Sequence, residues 1–194
     1  MTLVPLLESK EFSEADHHAL ALGEKAYGMV LNTWAAIGNS PGLFAAYLPF
    51  LRQLNGPGEL DVRIKDLAAV RVAVLNHCRY TTSHRCKSAQ ANGVTADELT
   101  ALARGDFARF TARERIALEL AGEMTATIPV TTYDQSATGV SAPILEVART
   151  SFGPGELVEL TMGISLWNAL SRFHRVMAFE LDMPVPPAGV DELL

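Results

Sequence analysis

LAAVRVAVLNHCRYTTSHRCKSAQANG, residues 67–93, is the stretch from which the rest of the chain is read. Its first nine residues, 67–75, are apolar except for Arg71, a run that belongs in a core. They lead into a dense cluster of reactive side chains. Residues 76–86 hold both cysteines, Cys78 and Cys86, and two of the five histidines, His77 and His84. Asn76, Tyr80, Thr81, Thr82, Ser83 and Arg85 stand among them. Such a cluster beside a buried segment points to a pocket wall, with the remaining chain as the helical packing that holds it.

Composition narrows the class. The 194 residues, 48% apolar and 20% charged, are those of an ordinary globular protein with one core. A net charge of −6 and a pI near 5.3 leave no basic face for nucleic acid. The opening MTLVPLLESKEF has no charged segment followed by a long apolar one, and no run approaches about eighteen apolar residues. A cytoplasmic protein with no membrane partner is expected. Two cysteines do not make a disulfide scaffold.

Along the chain, residues 1–12 read as an arm. Ser13 and Asp16 have the spacing of a capping box, opening a helix that can reach Ile37. Ser40 and Pro41 suit the start of a second helix, carrying Leu43, Phe44, Tyr47, Phe50, Leu51 and Leu54 and ending at NGPG. Asp61 can cap a third that continues into residues 67–93, closed by Asn92-Gly93. Thr95–Glu98 and Thr111–Glu114 are two further capping boxes. Pro129, Gly139 and Pro143 mark turns, and Gly153-Pro154 opens a last long helix toward Phe179. In the Pro-rich tail, residues 182–194, the stretch MPVPPAG is expected to be non-helical and to strap across a neighbouring surface. With no sustained period-two alternation and no linker, the fold expected is all-α: one domain over residues 1–194, a bundle of about six to eight helices.

Within the cluster, two backbone paths are open. If helix is unbroken, residues step round by about 100°. Cys78, Thr81 and Arg85 then share one face, His77, Tyr80 and His84 an adjacent one, and Cys86 points elsewhere. Asp66 falls on the same side as His84. Alternatively the chain kinks after Leu75 and Asn76 caps a new helix, placing Cys78 where the macrodipole favours thiolate. An unbroken helix separates Cys78 from Cys86 by about 12 Å, too far for a disulfide, whose Cα atoms stand about 5.5 Å apart. It also splits the two histidines and turns Cys86 away, so no zinc site is expected.

The run LDVRIKDLAAVRVAVLNHCRYTTSHR, followed by AxxxGVTADEL, resembles the carboxymuconolactone decarboxylase and alkylhydroperoxidase D superfamily. FTARERIALELA and ELVELTMGISLWNALSRFH fit its larger branch, so that the resemblance spans roughly residues 35–180. It implies an alkylhydroperoxidase D-like bundle and homo-oligomers (dimer, trimer or hexamer) with pockets near subunit interfaces. The redox branch uses Glu, eleven residues, Cys-x-x-Cys, three residues, His. Here Asp66 takes the acid position and Cys78 the first cysteine, but Thr81 stands in place of the second and Arg85 in place of the histidine, with His84 one residue early. Shifting the register by one places His84 correctly and puts His77 and Tyr80 at the cysteines. Neither register holds the dithiol pair, and a threonine forms no disulfide.

The leading expectation is therefore a cofactor-free acid–base enzyme, lyase- or isomerase-like, acting on a small carboxylated or lactone substrate. In it His84 is the acid or base, Asp66 sets a histidine tautomer, and Arg85 holds a carboxylate. His77, Tyr80 and Thr81 orient, Arg172 and His174 on the last helix are further binding candidates, and no metal is used. Two alternatives stand beside it: a one-cysteine peroxidase working through Cys78, and a non-catalytic oligomeric binder of small ligands.

Overall fold

The computed structural model describes residues 2–194. Ten α-helices, eight of them longer than six residues, and no strand occur among the described residues. They are α1 His17–Tyr27, α2 Asn32–Ile37, α3 Leu43–Asn55, α4 Val62–Leu75 and α5 Arg79–Ala91, then α6 Ala96–Arg104, α7 Ala112–Ala126, α8 Ala142–Ser151, α9 Pro154–Met177 and α10 Ala188–Asp191.

The apolar run of residues 67–75 forms the second half of α4, the central helix. Ten of its fourteen residues are buried, and it packs on α5, α7 and α9. Ile64, Ala68 and Val72 lie on one side, in a core shared with α7, α8 and α9. Leu67, Val70 and Val74 lie on the other, in a core with α5, α6 and α10. A helix apolar all round is one surrounded by protein. A third core, centred on Trp34 and Phe44, joins α1, α2 and α3.

The sequence-visible caps form as expected at Asp61, Thr95 and Thr111, whose side chains accept backbone N–H groups of α4, α6 and α7. Two expectations near the N-terminus are corrected. The helix read from Ser13 to Ile37 is two, because Gly28 ends α1 in the left-handed region at φ 75°. Ser13 donates to Asp16 rather than capping. The next helix starts at Leu43, not Pro41, because its cap comes from a distance: buried Asp16 accepts from Gly42 N and Ala45 N, both at 2.9 Å. A third correction falls in the tail: MPVPPAG is not non-helical throughout, because the short helix α10 begins at Ala188 once the prolines end.

Of the two paths through the cluster, the chain takes a break after Leu75. The N-cap of α5 is Cys78, not Asn76. His77 sits in the left-handed region at φ 49°, with His77 N donating to Val74 O at 2.9 Å and Cys78 N to Ala73 O at 3.0 Å. These are the two bonds of a Schellman turn, and His77 holds the position that glycine usually takes. Arg175 of α9 braces the turn by donating to Asn76 O at 2.9 Å. The turn doubles α5 back along α4. His77→Gly, which relieves a strained backbone, should therefore leave the unfolding free energy from chemical denaturation unchanged or raise it by up to about 1 kcal/mol. A clear loss of stability would contradict this placement.

Candidate functional site

A cavity of about 510 Å³ lies between α1–α3, α5, α9 and the tail. From α5 it takes Tyr80, His84, Arg85, Lys87, Ser88 and Ala91, a stripe at helical spacing. The opposite side of α5 puts Cys86 and Ala89 in the core, and Thr81 faces α9.

One carboxylate organises the wall. Asp182, in the stretch after α9, brings Oδ1 to 2.5 Å from His84 Nε2. Its Oδ2 accepts from Tyr80 OH at 2.7 Å and from Asn32 N, a half-buried amide at the start of α2, at 2.7 Å. Burial opposes this charge, but the bonds from His84, Asn32 and Tyr80 outweigh it and hold the carboxyl below its usual range. The strap is fixed again where Ser83 donates to Pro184 O at 2.8 Å. Burial, reinforced by Asp182, pushes the Tyr80 phenol well above its ordinary value, so it remains a donor. The Tyr80 and His84 rings stand 4.5 Å apart.

Behind them runs a second chain of bonds. His174 Nε2 lies 3.0 Å from Thr33 Oγ1, and its Nδ1 lies 2.8 Å from Thr81 Oγ1. Thr81 Oγ1 in turn is 3.1 Å from Cys78 Sγ. His174 and Thr33 line the cavity, whereas Cys78 and Thr81 do not. Burial, aided by the nearby His84, pulls His174 down to about 3 and keeps it neutral. Cys78 is 1% exposed, and burial raises its thiol despite the bond from Thr81. Cys86 is pushed up to about 12 by burial.

The sequence-derived candidates thus divide. Tyr80, His84, Arg85 and His174 meet at the cavity, with Thr81 and Cys78 one step behind. Asp66 does not orient a histidine. It accepts from Arg85, from Ser88 at 2.9 Å and from Asn92 at 2.7 Å. The carboxylate partner of a histidine is Asp182, a residue the sequence reading did not select. Its only local sign is an acid just before Met183-Pro184. His77 is exposed in the turn before α5, and Arg172 is exposed on α9; neither lines the cavity. Arg85 does line it. Its Nη2 serves Asp66 and Ser88, its guanidinium lies 4.6 Å from the Trp167 ring centre, and its buried Nε has no hydrogen-bond partner. Among the described residues no three His, Cys, Asp or Glu side chains are grouped to hold a metal, and no helix is long and apolar enough to cross a membrane.

Residues 41–123, from the approach to α3 into α7, match the sequence model of the carboxymuconolactone decarboxylase family. That match spans less than half of the 194 residues and is a similarity to the family over that stretch. Comparison with curated protein sequences finds no match. Solved structures place it among alkylhydroperoxidase D-like folds. A cysteine-to-alanine variant of the debrominase Bmp8, in complex with 2,3,4-tribromopyrrole, superposes with a TM-score of 0.78 at 18% identity, covering 100% of this chain and 98% of that one. An uncharacterized peroxidase-related protein from Silicibacter sp. TM1040 gives 0.70 at 18% identity over 96% and 94%. Another, an alkylhydroperoxidase core from Ralstonia eutropha JMP134, gives 0.72 at 13% identity over 98% and 94%. The family match covers Asp66, Cys78, Tyr80, Thr81, His84 and Arg85, but stops before His174 and Asp182.

A neutral buried histidine leaves a signature in stability. Below the ordinary histidine pKa of about 6.5 the unfolded chain binds a proton at residue 174, which the folded chain refuses until about 3. Stability should fall as pH drops through that window, by up to about 1.4 kcal/mol per pH unit from this group. His174→Gln, which can keep both hydroxyl partners, should flatten the profile between pH 7 and 4.5 in urea denaturation. An unchanged slope would show that residue 174 is protonated in the fold.

Proposed function

We propose that this protein is a cofactor-free acid–base enzyme, lyase- or isomerase-like, whose substrate is a small organic acid or lactone held in the 510 Å³ cavity. The observation that carries this reading is the Asp182–His84 pair on the cavity wall. A carboxylate on Nε2 fixes which imidazole nitrogen bears the proton and stabilises the imidazolium when it forms. Nδ1 is then left as the base. His84 takes a proton from carbon beside a carbonyl and returns it at another position, or gives its proton to the carbanion left when carbon dioxide departs. Arg85 lines the same cavity and offers its positive charge to the negative oxygen that develops. Tyr80 is held by Asp182 and keeps the dyad in place. His174, neutral and bonded to two threonines, is a wall that takes no charge at working pH.

The thiol reading has less support. Cys78 is buried, off the cavity wall, and shifted toward the unreactive thiol form. Its neighbour at the second cysteine position is Thr81, and Cys86 is sunk in a different core. The debrominase and the peroxidase-related proteins share the fold at identities too low to transfer their chemistry.

In turnover assays with unsaturated lactone acids, His84→Gln and Asp182→Asn should each lower kcat by about 10²–10⁴-fold, whereas Cys78→Ala should retain most of it. Loss of activity in Cys78→Ala with His84→Gln unaffected would replace this reading with the peroxidase one.

A further inference from the structure

α9 turns Trp167 and His174 toward the cavity, and its opposite side faces solvent. There Val158, Met162, Ser165, Ala169, Arg172 and Val176 form one exposed row, at steps alternating between four and three. Turns of about 100° per residue keep all six within about 80° of arc. Val158, Met162 and Val176 are exposed by 61%, 44% and 65%. The outward face of a surface helix ordinarily carries its charges. This row carries one, Arg172. The other charged side chains of α9 are turned aside and engaged: Glu156 with Arg113, Glu159 with Lys65, and Arg175 with Asn76 O.

Turned end for end, the row matches itself. Large side chains hold its ends, and Ser165 and Ala169 hold the middle, where small residues let two helices approach to about 8 Å. Inverting a second copy sets Val158 over the partner's Val176, Met162 over the partner's Arg172 and Ser165 over the partner's Ala169. Such self-complementarity is what a twofold axis requires. A parallel pairing would instead set Arg172 against the partner's Arg172, two like charges at one point. Beside Val158 lies an apolar groove of about 450 Å³ walled by Ile128, Val140, Leu145 and Leu157. At the far end of α9, exposed Leu3 is held by its N–H bond to Met177 O at 3.2 Å. Inversion brings that apolar end over the partner's groove. A helix of 24 residues is ~36 Å long and presents a face ~10 Å wide, roughly 350 Å² per copy. Contacts at both grooves add to this toward the ~800 Å² per partner of a standard interface.

We infer that the outer face of α9 is the seam between two copies of this chain, packed antiparallel across a twofold axis, with Ser165 of each over Ala169 of the other and the Leu3–Val176 end of each at the other's groove. The cavity lies on the other side of α9, so this surface differs from the pocket-side boundary that the family resemblance implies. It does not depend on the chemistry assigned to the cavity. Sedimentation of the purified full chain should give twice the 21.0 kDa of one chain, or an even multiple of it. Ala169→Glu, at an exposed position, should halve that mass with circular dichroism unchanged. Leu43→Glu, an equally exposed apolar residue on α3, should leave the mass as it is. Register is read with a short bis-maleimide, since Cys78 and Cys86 are buried and do not compete. Val158→Cys and Val176→Cys chains expressed together should cross-link to each other. Neither should cross-link when expressed alone, because inversion separates the two copies of each position by ~27 Å along the helix.

A monomer, or an assembly of odd number, overturns the inference. So does an assembly whose mass Ala169→Glu leaves unchanged, because its seam is then another surface. Cross-linking of Val158→Cys or Val176→Cys chains expressed alone overturns the antiparallel register. If Ala169→Glu fails to fold, the two cysteine chains decide alone: cross-links in the mixture support the seam, and their absence refutes it.

Discussion

A carboxylate shut away from water must be surrounded by donors, and two such carboxylates decide which way α5 faces. Asp66 on α4 gathers Arg85, Ser88 and Asn92 from the C-terminal half of α5 and its cap. Asp182 on the strap gathers Tyr80 and His84 from the N-terminal half. Neither can be left unpaired at a cost the fold would tolerate, since breaking a buried ion pair is worth about 3–5 kcal/mol. Together they fix the rotation of α5, so the stripe from Tyr80 to Ala91 meets the cavity while Cys86 and Ala89 meet the core. The Schellman turn at His77 makes this possible, because it lets a helix with one polar face follow the largely apolar second half of α4.

The same two carboxylates shape the electrostatics of the wall. Both lie one layer back and are neutralised there, so what reaches the cavity is imidazole, phenol and guanidinium. The two histidines are sorted by their partners. His84 has a carboxylate on one nitrogen, which suits an imidazole that must gain and lose charge. His174 has only hydroxyl groups, and its charged form is suppressed by burial. Charged together, the two would repel, and that repulsion is one reason His174 stays neutral.

What was legible in the sequence was local. Asp61, Thr95 and Thr111 announce helix starts because the capping side chain and the amide it serves are within three residues. The apolar run through Leu75 announces a core helix for the same reason. The start of α3 was misplaced by the capping role of Asp16, which is more than twenty residues from the amides it serves. A Ser-Pro pair nearer by then looked like the signal. Asp66 was assigned to a histidine because helical projection put it on the correct side, but projection assumes an unbroken helix, and the left-handed turn at His77 ends it. Asp182 was invisible because its partners lie about a hundred positions away in the chain. Even the family match, ending at residue 123, leaves out the acid that completes the dyad.

Thr81 is where the path away from thiol chemistry is clearest. A second cysteine there would face Cys78 across one helical turn, close enough for disulfide exchange. A hydroxyl at that position instead joins the buried thiol to His174 by hydrogen bonds and offers no electrons. With no thiol at position 81, Cys78 has no disulfide partner one turn away, and it is buried. In the acid–base reading proposed above, the reactive edge of α5 is that of Tyr80 and His84, which face the cavity and need only a carboxylate to set their protons. The strap after α9 delivers one. On that reading the chemistry sits about one helical turn along α5 from the position a second cysteine would hold.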